Sequence, residues 1–123
     1  MSSNPGVWFE IYVNDMARAR AFYEAVLKVE LTFMGMPDLE MWSFPSGQEG
    51  YGAGGALVRF PEMPAGGNST VVYFGCEDCA VEQARVEAAG GKIHKPKFSI
   101  GEYGFCALVA DTEGNMIGLH SMA

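Results

Sequence analysis

The spacing of apolar residues changes between strand-like and helix-like along the chain. The same order of such segments occurs twice. Apolar residues occupy every second position from Val7 to Val13, which predicts a strand. They recur at helical spacing in Met16–Lys28, behind the capping side chains of Asn14 and Asp15, which predicts a helix. Three short extended segments follow, at Glu30–Met34, Leu39–Phe44 and Ala53–Phe60. The first half therefore predicts the order β-α-β-β-β.

The second half repeats this order after residues 61–69, a proline- and glycine-rich stretch that predicts a linker. The predicted elements are a strand at Thr70–Gly75, a helix at Ala80–Ala89, and strands at Lys92–Lys95, Gly104–Ala110 and Asn115–His120. A single offset of 63 residues relates the two helix caps, Asp15 and Asp78. The same offset places Gly55 on Gly118 in the final strands, which indicates an internal repeat.

We expect one α+β domain over residues 1–123, built from two tandem βαβββ modules at about residues 7–60 and 70–121. Each module has one sheet face covered by its helix. Two such modules would bury their other faces around a central cleft, where a ligand is expected. The sequence leaves open whether the modules pair within one chain or between two chains, and we expect a homodimer.

Charge and composition limit the partners. Eight basic residues against fifteen acidic ones give a net charge of −7, which opposes nucleic-acid binding because phosphate is repelled. No apolar stretch approaches the ~20 residues of a membrane-spanning helix, and residues 1–6 lack the pattern of a signal peptide. We therefore expect a cytoplasmic protein, without a membrane or nucleic-acid partner, that binds a small molecule.

The three cysteines indicate reduced thiols rather than a disulfide framework. Cys76 and Cys79 form a C-x-x-C pattern at a strand-to-helix junction, where a redox or zinc role must be weighed. The intervening Glu77 and Asp78 would raise a thiol pKa, and one cysteine pair cannot complete a tetrahedral zinc site. Structural roles are favoured for both, and Cys106 is expected in the core.

Several short motifs together resemble a known family. They are Phe9–Asp15, Ala21–Tyr23, Ala88–Gly91, Tyr103–Phe105 and Asp111–Leu119. Their order and spacing over about residues 7–121 resemble the vicinal-oxygen-chelate superfamily. That superfamily includes glyoxalase I, extradiol dioxygenases, fosfomycin-modifying enzymes, epimerases and bleomycin-binding proteins. The resemblance implies a glyoxalase-like fold without selecting one of these functions.

The resemblance also implies where a metal would bind. In metal-dependent members of the family, His, Gln or Glu side chains on the first and last strands of each module are the ligands. The corresponding positions here hold Trp8, Gly55, Val71 and Gly118, none of which has a donor side chain. A shift of one residue supplies only apolar side chains from the opposite strand face. We therefore predict no metal site of the usual kind and no cofactor.

Glu10 and His120 are candidates for acid–base chemistry. An imidazole exchanges protons near neutral pH, although His120 could instead be structural, at a strand end or a dimer seam. Glu10 would lie on the inward face of the first strand, either towards a wet cleft or in a salt bridge with Arg59.

Aromatic residues on the strands and on one connection complete the expected cleft. The glycine-containing connection Ser99–Phe105 either closes over a ligand or forms an ordinary hairpin. We expect ligand contacts from Trp8, Tyr12, Met41, Tyr73, Tyr103 and Phe105.

The leading function hypothesis is metal-free binding of a small organic molecule, for which the acidic charge favours a cationic ligand. The alternative is a lyase or isomerase that acts on a small carbonyl substrate with His120 or Glu10 as acid or base. A third possibility is that dimerisation is the main role.

Overall fold

The computed structural model describes residues 8–35, 39–46, 52–66 and 70–123, which form two four-stranded sheets and two α-helices. The first module contains β1 (Trp8–Tyr12), α1 (Met16–Leu27), β2 (Thr32–Gly35), β3 (Glu40–Ser43) and β4 (Gly54–Arg59). The second contains β5 (Val72–Gly75), α2 (Cys79–Val86), β6 (Lys92–Ser99), β7 (Phe105–Ala110) and β8 (Met116–Ser121). A single 3₁₀ turn, Gly101–Tyr103, precedes β7. The predicted α+β class and the repeated βαβββ order are confirmed.

Both sheets have the same topology. Their strand orders are β1-β4-β3-β2 and β5-β8-β7-β6. The first and last strands of each module pair in parallel, and the remaining neighbours are antiparallel. Neither α-helix in the described part of the chain is long and apolar enough to cross a membrane.

The two helices begin at equivalent caps, as the 63-residue offset predicts. Asp15 accepts a hydrogen bond from the backbone N–H of Arg18 at 3.0 Å, and Asp78 accepts one from Ala80 at 3.0 Å. The helix ends differ between the modules. α1 is followed by Lys28 in the left-handed conformation, whereas α2 ends at Val86, three residues before the predicted Ala89.

Strand boundaries differ most in β6, which continues to Ser99 rather than ending at Lys95. Its pairing with β7 shifts register between Ile93 and Phe98, a region that contains Pro96. Bulges interrupt the two-residue alternation of a strand, and proline is unfavourable within one. The sequence pattern therefore did not predict that the strand continues past Lys95. The first predicted strand residue, Val7, lies outside the described residues, as do residues 67–69 of the linker.

The single offset of 63 residues is wrong for the final strands. In the first sheet Glu10 is opposite Ala56, whereas in the second sheet the equivalent Tyr73 is opposite Gly118. Gly118 therefore corresponds to Ala56, at an offset of 62. Gly55 is opposite Phe9 on the helix-covered face. A difference of one residue places a side chain on the other face of a strand.

One hydrophobic core joins the helix-covered faces of both modules. Tyr23 and Leu57 from the first module share it with Val86 and Ile117 from the second, all with 2 % exposure or less. The opposite face of the first sheet, hereafter its open face, carries Trp8, Glu10, Tyr12, Met41, Ala56 and Val58. Within the described residues, Met41, Ala56 and Val58 form a separate small cluster on this face. The modules thus meet through their helix-covered sides.

Candidate functional site

Glu10 lies between two aromatic donors on the open face of β1. The Trp8 indole Nε1 donates to Glu10 Oε2 at 3.1 Å, and the Tyr12 hydroxyl donates to Glu10 Oε1 at 2.8 Å. These residues are two positions apart, so strand alternation places all three side chains on one face. The hydrogen bond to Glu10, and then partial burial, raise the pKa of Tyr12 above its usual value. The row thus presents an exposed carboxylate flanked by two rings.

A small cavity of about 180 Å³ adjoins this row. Glu10 and Tyr12 form one side of it, Asn115 and Met116 form another, and Met63 from the linker contributes to its rim. The Glu10 cavity therefore combines residues of both modules.

The alternative salt bridge between Glu10 and Arg59 is not formed. Arg59 follows Val58 in β4 and therefore lies on the helix-covered face, opposite to Glu10. Its Nε instead donates to the backbone oxygen of Asn14 at 3.2 Å. Glu10 thus remains available at the open face.

Met41 lies on the open face of the first sheet. Tyr73 lies on the corresponding face of the second sheet, which we also call its open face. Met41 is buried with Ala56 and Val58 on the first sheet. Tyr73 is 52 % exposed on the second sheet, with its ring over Gly118. Of these two residues, Met41 shares the open face of Trp8, Glu10 and Tyr12.

The structure brings His120 together with Tyr103 but not with Glu10. His120 Nε2 lies 2.7 Å from the backbone oxygen of Tyr103. Since a carbonyl only accepts hydrogen bonds, Nε2 is the donor, which leaves Nδ1 as the acceptor in a neutral ring. His120 lines a cavity of about 310 Å³ with Glu77 and Met122, distinct from the Glu10 cavity.

Tyr103 and Phe105 do not share a strand face. Tyr103 ends the 3₁₀ turn and is 67 % exposed, whereas Phe105 begins β7 and packs against the common core. The Lys97 Nζ lies 4.7 Å from the centroid of the Phe105 ring. Gly104 separates the two aromatic residues with a φ of 106°, which interrupts strand alternation.

The positions that the family resemblance assigns to metal ligands do not fit a metal. After the register correction they are Trp8, Ala56, Val71 and Gly118, and none has a side chain that binds a divalent cation. Among the described residues, no three His, Cys, Asp or Glu side chains are grouped so that they could hold a metal ion.

The turn before β8 holds the two modules together through Glu113. Its carboxylate accepts the backbone N–H groups of Asn14 and Asp15 at 2.8 and 2.9 Å. It also accepts two hydrogen bonds from Arg18, at 2.7 and 3.0 Å, and one from Thr112. Burial raises the pKa of Glu113, but these hydrogen bonds outweigh it and lower the pKa to about 2.

Asp111, in the same turn, makes a second connection. The buried Tyr23 hydroxyl donates to Asp111 Oδ2 at 2.6 Å. The Asn115 side chain contacts the same carboxylate at 3.1 Å and also donates to the backbone oxygen of Tyr12 at 2.9 Å. We call Glu113, Asp111 and Asn115, with their first-module partners, the intermodule clamp. It positions the end of β1, where Tyr12 holds Glu10.

The two cysteines of the C-x-x-C pattern differ in burial, because Cys76 is partly buried and Cys79 is buried. Burial, followed by the nearby Glu82 carboxylate, raises the pKa of Cys76 to about 12. Cys79 is fully buried, and its backbone N–H donates to Ser121 Oγ at 3.0 Å. A thiol that stays protonated is a poor nucleophile and metal ligand, which supports the structural interpretation.

Sequence reasoning missed Arg18, Glu82 and Glu113. Glu113 had a visible signal, because it lies inside the motif Asp111–Leu119 that carries the family resemblance. Arg18 and Glu82 are charged helix residues with no local pattern that distinguishes them from solvated side chains.

Comparisons with known proteins show what the chain is similar to. The chain is 31 % identical over 108 residues to the putative glyoxylase CFP32 of Mycobacterium bovis and of Mycobacterium tuberculosis. The alignment covers 88 % of this chain but 40 % of those relatives, so the chain spans less than half of their length.

Solved structures share the fold. TnmS3, an antibiotic binding protein from Streptomyces sp. CB03234, superposes with a TM-score of 0.71 at 24 % identity over the full length of both chains. A glyoxalase I mutant from Zea mays gives a TM-score of 0.77 at 20 % identity, covering 98 % of this chain and 47 % of that one. At these identities the likeness is one of fold. A family profile, by contrast, matches residues 7–119, and the chain belongs to the Glyoxalase/Bleomycin resistance protein/Dioxygenase superfamily.

Proposed function

We propose that this protein binds a small organic molecule at the open face of β1, without the usual metal of the superfamily. The observation that carries the proposal is the Glu10 carboxylate, held between Trp8 and Tyr12 on an accessible face. The lack of donor side chains at the expected ligand positions supports binding without a metal. The structural neighbours include an antibiotic binding protein, so this fold can bind a small organic molecule.

The chemistry of the row favours a cationic ligand with a flat apolar part. Trp8 is 46 % exposed and offers an indole face for stacking and for cation–π contact. Glu10 supplies the negative charge, in agreement with the net charge of −7. The Glu10 cavity of about 180 Å³ is too small for a drug-sized ligand, for which pockets of roughly 300–1,000 Å³ are typical. Part of the ligand would therefore lie outside it, over Trp8.

A second copy of the chain would complete the site. Within one chain the core joins the helix-covered faces, so the other module does not cover Trp8. A partner that packs on the open faces would enclose the ligand.

Tryptophan fluorescence during titration with a panel of organic cations tests the proposal. Binding should change the emission of the wild-type protein, and Trp8→Phe should remove that change. Glu10→Gln should weaken the binding of a monocation by about tenfold, as expected for the loss of one charge-assisted contact.

The chain provides a matched control pair in Trp42 and Glu40. The Trp42 indole donates to Glu40 at 3.1 Å, with the same two-residue spacing, but on the helix-covered face. Trp42→Phe and Glu40→Gln should therefore leave the affinity unchanged. If the Trp8 and Trp42 variants respond alike, the proposed site is wrong.

Metal analysis tests the second part of the proposal. Protein purified and dialysed without chelator should retain no stoichiometric Zn, Ni, Fe or Mn. One retained metal ion per chain would contradict metal-free binding.

The alternative, a lyase or isomerase with His120 or Glu10 as acid or base, stays a prediction. In a single chain the two residues lie on different sheets and line separate cavities, so they would not act together there.

A further inference from the structure

A larger cavity, of about 520 Å³, lies between the modules on their helix-covered side. Phe9, Phe44 and Phe74 contribute to its wall, Glu82 of α2 lines it, and the exposed Ala53 also lines it. Its volume is within the range of small-molecule sites, roughly 300–1,000 Å³. The function proposed above does not use this Glu82 cavity.

Its aromatic wall is contributed by both modules. The ring centroids of Phe9 and Phe74 are 6.0 Å apart, and Phe44 is 5.7 Å from Phe9 and 5.4 Å from Phe74. The rings are tilted or edge-to-face relative to one another, and all three line the cavity. Such a wall binds an aromatic ring or the apolar stem of a cation.

Glu82 supplies one charged group to this cavity. Its Oε1 is buried and has no partner of good hydrogen-bond geometry among the described residues, and the Cys76 thiol, a weak donor, lies beside the carboxylate. The cap of α2 is Asp78, so helix capping does not account for Glu82. A buried carboxylate oxygen with only a weak thiol donor nearby is poorly satisfied, and a ligand N–H group would stabilise it.

We infer that the Glu82 cavity is a second binding site, specific for a small arylalkylamine. The ammonium group would donate to Glu82, and the aryl ring would pack against Phe9, Phe44 and Phe74. A carboxylate beside aromatic rings is suited to an organic cation and unsuited to an anion.

Titration with 2-phenylethylamine, followed by backbone amide NMR, tests this inference. The amide signals of Phe74 and Glu82 should shift with saturation below about 10 mM. The uncharged analogue 2-phenylethanol should bind at least about tenfold more weakly, because it lacks the charge that Glu82 recognises.

Variants separate a ligand contact from a structural role. Glu82→Gln should weaken amine binding about tenfold while the melting temperature is kept or raised, because a poorly satisfied buried charge is removed. Glu87→Gln, at the end of the same helix and outside the cavity lining, should bind like the wild type.

A variant that fills the Glu82 cavity provides an independent test. Ala53→Trp should fill the cavity and abolish binding. Val81→Trp, exposed on α2 but not lining the cavity, should have no effect.

The inference is overturned if 2-phenylethylamine causes no shifts at Phe74 and Glu82, or if Glu82→Gln and Ala53→Trp both bind it with wild-type affinity. Trp8→Phe and Glu10→Gln should leave these shifts intact, so failure of the open-face site and failure of this site are distinguishable.

Discussion

The hydrogen bonds of Glu10 connect three side chains of one strand, those of Trp8, Glu10 and Tyr12. Trp8 and Tyr12 each use a single donor on a different carboxylate oxygen. Both aromatic side chains are thereby held at the open face rather than left to rotate. Alternation predicted that the three residues share a face. The hydrogen bonds depend on side-chain rotamers, which periodicity does not specify.

The pKa of Tyr12 should report this arrangement. Its hydroxyl donates to Glu10, and this contact raises the pKa above the usual 10.0. Glu10→Gln removes the negative charge, so the pKa of Tyr12 should fall towards 10.0. NMR titration of the Tyr12 ring measures it. Glu40→Gln is the control, and an unchanged pKa in Glu10→Gln would exclude the contact.

At the scale of elements, the pairing of the first and last strands of each module decides where a glycine is needed to make room for a neighbouring ring. Gly55 and Gly118 looked equivalent from the sequence, yet they lie on opposite faces of their sheets. A Cβ at Gly55 would overlap the Phe9 ring in the core, and one at Gly118 would overlap the Tyr73 ring. Phe9 is surrounded by core aromatics, whereas Tyr73 is half exposed and can move.

We therefore expect unequal effects of alanine at these two glycines. Gly55→Ala should lower the free energy of unfolding by about 1–3 kcal/mol, because a packed ring must be displaced. Gly118→Ala should lower it less. Gly35→Ala is a control, since its Cβ would lie 3.9 Å from Phe33 in ordinary contact. Urea denaturation measures all three, and equal losses at Gly55 and Gly118 would contradict the observed register.

At the scale of the whole molecule, the intermodule clamp joins segments that are far apart in sequence. Asn14 and Glu113 are separated by 99 residues, and Tyr23 and Asp111 by 88. The motifs that carry the family resemblance, on α1 and in the turn before β8, meet in this clamp. Their role here is therefore the joining of two modules.

The clamp should make stability depend on pH through Glu113. Its pKa is about 2 in the folded chain against a usual 4.5, so folding favours the ionised form. Its contribution is present above about pH 4.5 and is lost as the pH falls towards 2. Glu113→Gln should destabilise the protein at pH 7 by about 2 kcal/mol, because the backbone N–H groups of Asn14 and Asp15 lose a charged acceptor, and stability should then depend less on pH in the acid range.

Thermal unfolding between pH 2 and 7 measures this effect. Glu62→Gln, at an exposed position, is the control. A Glu113→Gln curve parallel to that of the wild type would show that Glu113 does not cause the acid loss.

The open faces predict assembly. Trp8 and Tyr73 are each about half exposed within one chain. We expect light scattering to give a mass about twice the 13.3 kDa of the chain at micromolar concentration. A monomer mass under those conditions would contradict the proposed dimer.

The sequence by itself determined the order of the elements and the two helix caps. These features depend on residues within a few positions of one another, where periodicity and capping act. Only the tertiary structure decided the one-residue difference between the final strands, the clamp around Glu113, the separation of Glu10 from His120, and the Glu82 cavity. Each of these depends on side chains brought together from distant segments, which local pattern does not encode.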